Sequence, residues 1–365
     1  MKNSLTFLTI MKTKTIAVLA GDGIGPEVMA QTLRVLKAID DSFIIKNGLI
    51  GGAAYDVFNN HFPDETAQLC QDSDAVLFGS VGGPIDDAHL PKWHKCEANS
   101  LLALRQALGL NVNVRPSKLY KSLIAISPLK PELIEQGVDI MIIRELLGDI
   151  YFGEHKQFVD NGLRVATDVA RYDEKQIEIA IHKGFQTAMS RNKKLTSVDK
   201  ANVLDTSKLW RTIANEVAPQ YPEVTLEHML VDNCAMQLIL NPAQFDTIVT
   251  ANLFGDIISD AASALPGSLG LMPSASFSAE GFGLYEPSGG SAPDIANQNI
   301  ANPTAQILSL ALMLRYSFDM GQQATQIEDA IIHTLEAGYR TGDIYQKGNT
   351  KVGTIEFTDE VLKRL

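Results

Sequence analysis

An α/β fold, with helices on both sides of its sheets, is predicted for this chain by three observations. Short apolar runs that read as buried strands recur at residues 16–20 (IAVLA), 75–78 (AVLF), 140–143 (IMII) and 247–250 (TIVT). A polar or glycine-bearing junction follows each of them: GDGIGPEV, GSVGGP, RELLGD and ANLFGD. Helical segments separate the runs, and alternating β and α elements place helices over sheets. The length of 365 residues suggests two domains or one large α/β unit.

Taken in order, the first strand leads into a helix opened by Pro26, with Met29, Leu33 and Leu36 forming an apolar stripe. The strand-then-junction pattern repeats at DAVLFGSVGGP, DIMIIRE and DTIVTANLFGD. Residues 268–303 are rich in Gly, Pro, Ser and Asn and read as a long connector of the kind that often carries function. NPTAQILSLALMLRYSF then reads as a buried helix with Pro303 in its opening turn, and ATQIEDAIIHTLEAG as a helix stopped by Gly338. The first ten residues, ahead of Met11, read as an extension or an upstream start without a secretory cleavage site. No apolar run is long enough to cross a bilayer.

The net charge of −12, without a dense Lys/Arg block, argues against a nucleic-acid partner. A small anionic substrate would therefore need locally placed cations. Cys70, Cys96 and Cys234 are too few and too irregularly spaced for a disulfide framework or a thiolate metal site, which fits a reducing cytosol.

The residues that carry chemistry stand at strand ends, where open α/β sheets bind ligands. In NLFGDIISDAASALPGSLG, Asp256 and Asp260 are four residues apart and share a helix face. Two carboxylates there are either a solvated surface pair or the ligands of something positive between them. Asp232, in LVDNCAMQLIL, is a third candidate acid, or else a helix cap. Three carboxylates without a nearby Cys or His suit Mg²⁺ or Mn²⁺. Arg105, Arg115 and Arg144 could each be an ordinary surface or ion-pair residue, but together they suit a substrate with two carboxylates. Lys200, in SVDKANVL, is an exposed lysine or a general base, and Tyr151 is a packing residue or a proton donor. AGDGIGPEV departs from the dinucleotide fingerprint, since its glycines are not spaced G-x-G-x-x-G. The seven histidines form no nucleophile motif, so a triad hydrolase is disfavoured. A metal-dependent lyase or phosphoryl-handling enzyme would also accommodate the acids.

Six motifs in order, AGDGIGPEV, LLALRQALGLNVNVRP, IIRELLGDIYFGE, SVDKANVL, NLFGDIISDAASALPGSLG and EPSGGSAPDIANQNIANP, resemble the metal-dependent β-decarboxylating dehydrogenases, the isocitrate/isopropylmalate dehydrogenase family. The resemblance runs from about residue 16 to the end of the chain. It implies two α/β domains around a cleft, distinct from a standard Rossmann fold. Residues 1–110 with 266–365 form one domain, which carries most of the NAD site. Residues 111–265 form the other, with a β-arm at YFGEHKQFVDNGLRVATDVARYD and most of a homodimer interface.

By the same resemblance, Arg105, Arg115 and Arg144 hold the substrate carboxylates. Asp256 and Asp260 bind Mg²⁺ or Mn²⁺ together with Asp232 from a second subunit, which also places Asp232 at the substrate. Lys200, also from the second subunit, removes the hydroxyl proton, and Tyr151 supplies a proton after CO₂ has left. Leu101, Leu102 and Val203 wall an apolar pocket. Glu97 lies near the nicotinamide. The loop bearing Glu286, Gly290, Ser291, Ala292, Pro293 and Asp294, followed by Asn302, binds NAD, and the Asp294 carboxylate favours NAD over its 2′-phosphorylated form. The implied reaction is oxidative decarboxylation of 3-isopropylmalate in leucine biosynthesis, with D-malate, tartrate or homoisocitrate as the alternative substrates. Two positions depart from the family pattern: Gly289 stands where many relatives carry His, removing a stacking partner for adenine, and Asn297 replaces a frequent glycine.

Overall fold

The computed structural model describes residues 14–365; the reading of the first ten residues as an extension lies outside them. In chain order, β1 (Thr15–Gly21), α1 (Gly25–Ile39), β2 (Ile44–Asn47), α2 (Gly52–Phe58), α3 (Asp64–Gln71) and β3 (Ala75–Ser80) come first. Next are α4 (Ala103–Ala107), β4 (Leu110–Lys118), α5 (Pro131–Ile134), β5 (Asp139–Glu145), β6 (His155–Asp160), β7 (Leu163–Asp168), α6 (Glu174–Met189), β8 (Lys194–Asp199) and α7 (Asp205–Val217). The chain ends with β9 (Thr225–Leu230), α8 (Val231–Leu240), β10 (Thr247–Thr250), α9 (Asn252–Ser263), β11 (Pro273–Ser278), β12 (Gly283–Pro287), α10 (Thr304–Tyr316), α11 (Gly321–Glu336), β13 (Tyr339–Arg340), β14 (Thr350–Lys351) and α12 (Thr354–Leu362).

Ten strands form one sheet in the order β2-β1-β3-β12-β11-β4-β5-β10-β8-β9. Its two wings are parallel, and β11 and β4 run antiparallel to their neighbours in the middle. The antiparallel centre separates this topology from a doubly wound nucleotide-binding sheet, in agreement with the irregular glycine spacing of AGDGIGPEV. The two sequence segments expected to be separate domains contribute strands to this one sheet.

Residues 268–303, expected to be a connector, contain β11 and β12 at the sheet's centre. The alternation Ser274, Ala275, Ser276, Phe277 carries the strand period, but small polar residues replace the usual β-branched ones. Both faces of β11 are covered by neighbours, so all six of its residues are buried.

On one face of the sheet a single apolar cluster runs through both wings, joining Val112 and Ile143 to Ile177, Phe185, Leu310 and Ile331. On the other face the apolar residues fall into two clusters, one around Phe78, Leu104 and Leu284 and one around Ile142, Ile248 and Ile258. The central strands turn polar side chains toward the gap between these clusters. Asn113 pairs with Arg144 and Ser276, and Arg115 with Ile142, so all of them share that face. The expected β-arm is a separate two-stranded ribbon, β6–β7, largely exposed.

Candidate active site

The gap is a cleft of about 780 Å³ lined by Leu101, Leu102, Arg105, Arg115, Arg144, Tyr151, Asp256, Asp260 and Glu286, among others. Each residue reaches it from a strand, a strand end or an adjoining helix or loop. Arg115 lies within β4 and Arg144 next to the end of β5. A π-helical stretch (Ala98–Leu102) leads into α4 and delivers Leu101, Leu102 and Arg105 to one wall. β10 ends at Thr250, and α9 then carries Asp256 and Asp260 outward on one face.

The three guanidiniums are nearly buried and held by donor–acceptor contacts. Arg115 donates from Nε to Asn113 Oδ1 (2.6 Å) and from Nη1 to Ser259 Oγ (2.7 Å) and Asp260 Oδ1 (3.3 Å). Arg144 donates from Nε to the Asn252 carbonyl (3.0 Å), from Nη2 to Asn252 Oδ1 (2.9 Å), and from Nη1 to Asp256 Oδ1. Gly255 leaves room for the Arg144 stem, since a Cβ there would fall 2.6 Å from Arg144 Cγ. Arg105 donates from Nη2 to Glu286 Oε1 at 3.0 Å, while its buried Nε has no partner. Burial pulls Arg115 and Arg144 down, Arg144 to about 10, which leaves Arg144 cationic at neutral pH.

The acids face the cleft from the other side. The Asp256 side chain is 34% exposed and that of Asp260 61%. Tyr151 donates its hydroxyl hydrogen to Asp256 Oδ2 at 2.8 Å. Burial, and then that carboxylate, push the phenol up from its ordinary value, so it holds its proton at neutral pH. Burial raises the Asp260 carboxyl, opposed by Arg115. The donor set suits a hard dication: two carboxylates on one helix face, open to the cleft and without Cys or His.

A buried network missed by the sequence reading backs this cluster. Glu145 accepts from the backbone N–H of Leu147 (2.6 Å) and of Gly148 (2.9 Å), and from the Tyr172 hydroxyl (2.8 Å). The same hydroxyl accepts from the Asn252 amide at 2.9 Å. Asn252 in turn grips Arg144. The motifs RELLGD and ANLFGD contain Glu145 and Asn252, but nothing in their composition pointed to a partner as distant as Tyr172.

Asp232 and Lys200 do not line this cleft. They pair with each other elsewhere on the chain, near the N-terminus of α8, and Val203 is exposed in the turn after β8. Among the described residues no group of three or more acidic, His or Cys side chains forms a single ligand cluster. One chain therefore assembles two of the three expected acids.

Residues 15–361 match the protein family described as isocitrate/isopropylmalate dehydrogenase. The chain belongs to this family. It is 50% identical to a protein of Clostridium acetobutylicum described as 3-isopropylmalate dehydrogenase, over 97% of this chain and 100% of that one. It is 54% identical to one of Desulfitobacterium hafniense with the same description, over 96% and 99%. Among solved structures, an isocitrate dehydrogenase from Methylococcus capsulatus superposes with a TM-score of 0.85 at 30% identity, covering 96% of this chain and 99% of that one. The chain is an oxidoreductase of this family.

A second cavity of about 560 Å³ adjoins the cleft and shares Gly289, Gly290 and Pro287 with it. Ile24 and Val28, from the AGDGIGPEV segment, line its wall with Asn302. The Ile24 amide donates to the Ser291 carbonyl at 2.8 Å, and a Cβ on Gly23 would fall 1.9 Å from that oxygen, which explains the glycine. Ala292 lines the cavity with a positive φ of 38°, whereas Pro293 and Asp294 are exposed and do not line it. Asp343, absent from the sequence expectations, does line it, accepting from Asn302 Nδ2 at 3.0 Å and Ser268 Oγ at 2.5 Å. Glu286 stands in the first cleft as the partner of Arg105. Glu97 lines the same cleft.

Proposed function

We propose that this chain catalyses the oxidative decarboxylation of 3-isopropylmalate to 4-methyl-2-oxopentanoate with reduction of NAD, the dehydrogenase step of leucine biosynthesis. The observation that carries the reading is the cleft itself: three buried guanidiniums face two carboxylates beside an apolar wall of Leu101 and Leu102. A substrate with two carboxylates and a branched alkyl group matches that distribution.

On this reading Arg105, Arg115 and Arg144 bind and orient the substrate carboxylates, and the unpartnered Arg105 Nε has a donor to spare. Asp256 and Asp260 would hold Mg²⁺ or Mn²⁺, joined by Asp232 of a second copy of the chain. When bound, the dication supplies Lewis-acid stabilisation of developing negative charge, and NAD supplies the hydride acceptor. Lys200 Nζ of the second copy accepts the proton of the substrate hydroxyl. Tyr151 Oη keeps a proton at neutral pH and delivers it to carbon after CO₂ departs, with Asp256 Oδ2 orienting it. The 560 Å³ cavity would take the adenosine half of NAD between Ile24, Gly290, Ala292 and Asn302.

The second copy is supported by an apolar surface that one chain leaves open on neighbouring helices. Met236, Ile239 and Leu240 of α8 and Ile257 of α9 are each at least half exposed. The exposed β6–β7 ribbon is the expected arm. On the proposed division, residues 1–110 with 266–365 and residues 111–265 form the two sides of the cleft.

The test is NADH formation with 3-isopropylmalate, D-malate, tartrate and homoisocitrate, with and without a chelator. The expected result is highest kcat/KM on 3-isopropylmalate and loss of all signal with chelator. A higher kcat/KM on any other acid assigns the sister activity, and turnover that survives chelation removes the dication.

A further inference from the structure

The sheet's opposite face carries a third cavity, of about 440 Å³, whose walls include Val112, Ile179, His182, Lys183, Gln186 and Phe277. Its position follows from strand alternation. Val112 pairs with Phe277, and both point away from the face that holds Asn113, Arg115 and Ser276. The cavity therefore has the thickness of the sheet between it and the catalytic cleft. It sits over the β4–β11 seam, where the pairing register shifts between Phe277 and Ser278.

Lys183 of α6 is the unusual group there. Its ammonium lies 4.4 Å from the centre of the Phe277 ring and 5.7 Å from that of Tyr316. Among the described residues it has no carboxylate partner and no hydrogen-bond acceptor. By contrast, Arg115, Arg144, Arg191 and Arg211 are each paired with an acid, and buried Arg340 donates to backbone carbonyls. A cation withdrawn from water onto aromatic faces gains part of its lost solvation from the rings, yet its hydrogen-bonding capacity stays unused. An anion in the adjoining cavity would meet a half-buried charge that no carboxylate already holds. Glu178, five residues earlier on α6, lines the same cavity. Its negative charge disfavours a dianion, and the remaining wall combines the apolar Val112, Ile179, Phe277 and Ala279 with the polar His182, Gln186 and Ser278.

We infer that this back-face cavity binds a small organic monocarboxylate with an apolar body, its carboxylate on Lys183 Nζ and its body against Val112, Ile179 and Phe277. The site is separate from the front cleft and does not depend on the reaction there. Its occupant touches both α6 and β11, and so spans the seam between the two proposed domains.

The test uses 4-bromobenzoate as the probe on the whole protein. Soaked crystals are expected to give a bromine anomalous peak in the cavity beside Lys183. Calorimetry is expected to lose one site per chain in Lys183→Met, or to see its affinity fall about ten-fold or more, as removal of a charge-assisted contact requires. Sites on the front arginines are expected to persist in that variant. Should Lys183→Met fail to fold, Lys183→Gln gives the same readout, and Lys183→Arg is expected to retain the site. A peak confined to the front cleft, no peak, or binding unchanged in the charge-removing variants overturns the assignment.

Discussion

Arg144 meets Asp256 with its guanidinium almost fully buried, whereas Lys200 meets Asp232 in the open, its side chain 28% exposed against 63% for the acid. Both are an acid and a base in contact, the first on the central strand β5 and the second just after β8 near the sheet's edge. The first pair is locked on every side by Asn252, Tyr151 and Arg115, so its geometry is set before any ligand arrives. The second is held by one contact, and Lys200 draws the Asp232 carboxyl below its ordinary value. On the proposed roles, the buried pair belongs to the substrate grip of one chain, and the exposed pair supplies the base and the third acid to another copy. This agrees with a site shared between two copies.

Asp256→Asn is expected to have the largest effect, a fall in kcat/KM of about a thousand-fold or more, because a proposed metal ligand is lost. The variant also leaves Arg144 without its carboxylate and lowers the melting temperature. Unchanged turnover would remove Asp256 from the metal site.

Lys200→Met probes the exposed pair. Its turnover is expected to fall about a hundred-fold or more with no measurable change in melting temperature, since a solvated pair adds little stability. Mixing unfolded Asp256→Asn and Lys200→Met chains and refolding them sharpens the comparison. With shared sites, half of the randomly paired dimers are mixed and each has one intact site, so activity is expected to return to about a quarter of wild type. No recovery would put Lys200 and Asp256 of one site on the same chain.

Tyr151→Phe is expected to cost about a hundred-fold in kcat with little change in substrate KM, the pattern of a lost proton donor. A rise in KM alone would make Tyr151 a packing residue.

The smallest effect concerns the network behind the buried pair. Burial pushes Glu145 up to about 7, so the folded chain holds a proton there that the unfolded chain releases at ordinary carboxylate pH. The folded state then binds more protons between about pH 4.5 and 7, and this group's contribution to stability is lost as pH rises through that window. In Glu145→Gln, urea unfolding at several pH values is expected to show that downward slope flattened. An unaltered slope would assign the pH dependence to other groups.

Much of the site was legible because its residues sit in short motifs at strand ends. Arg144, Asp256 and Asp260 are readable from RELLGD and NLFGDIISD, since a strand period followed by a helix period fixes which face a residue takes, whereas Tyr151 enters only through the family resemblance. Glu145, Tyr172 and Asn252 were not, because each looks like an ordinary polar residue until folding brings positions 145, 172 and 252 into contact. Asp343 escaped for the same reason, approaching Asn302 and Ser268 from far along the chain. β11 and β12 read as a connector because serine and glycine hide strands whose partners are set only in three dimensions.

Sequence alone determined the alternating elements, the identities of the acids, arginines, tyrosine and lysine at strand ends and junctions, and the family, because these depend on local period and on motif order. The tertiary structure decided which of them share a cleft, which stay with a partner outside it, and that Lys183, unpaired among the described residues, faces a cavity behind the sheet. Burial and pairing depend on what distant segments bring to the same place, and a linear pattern carries no record of that.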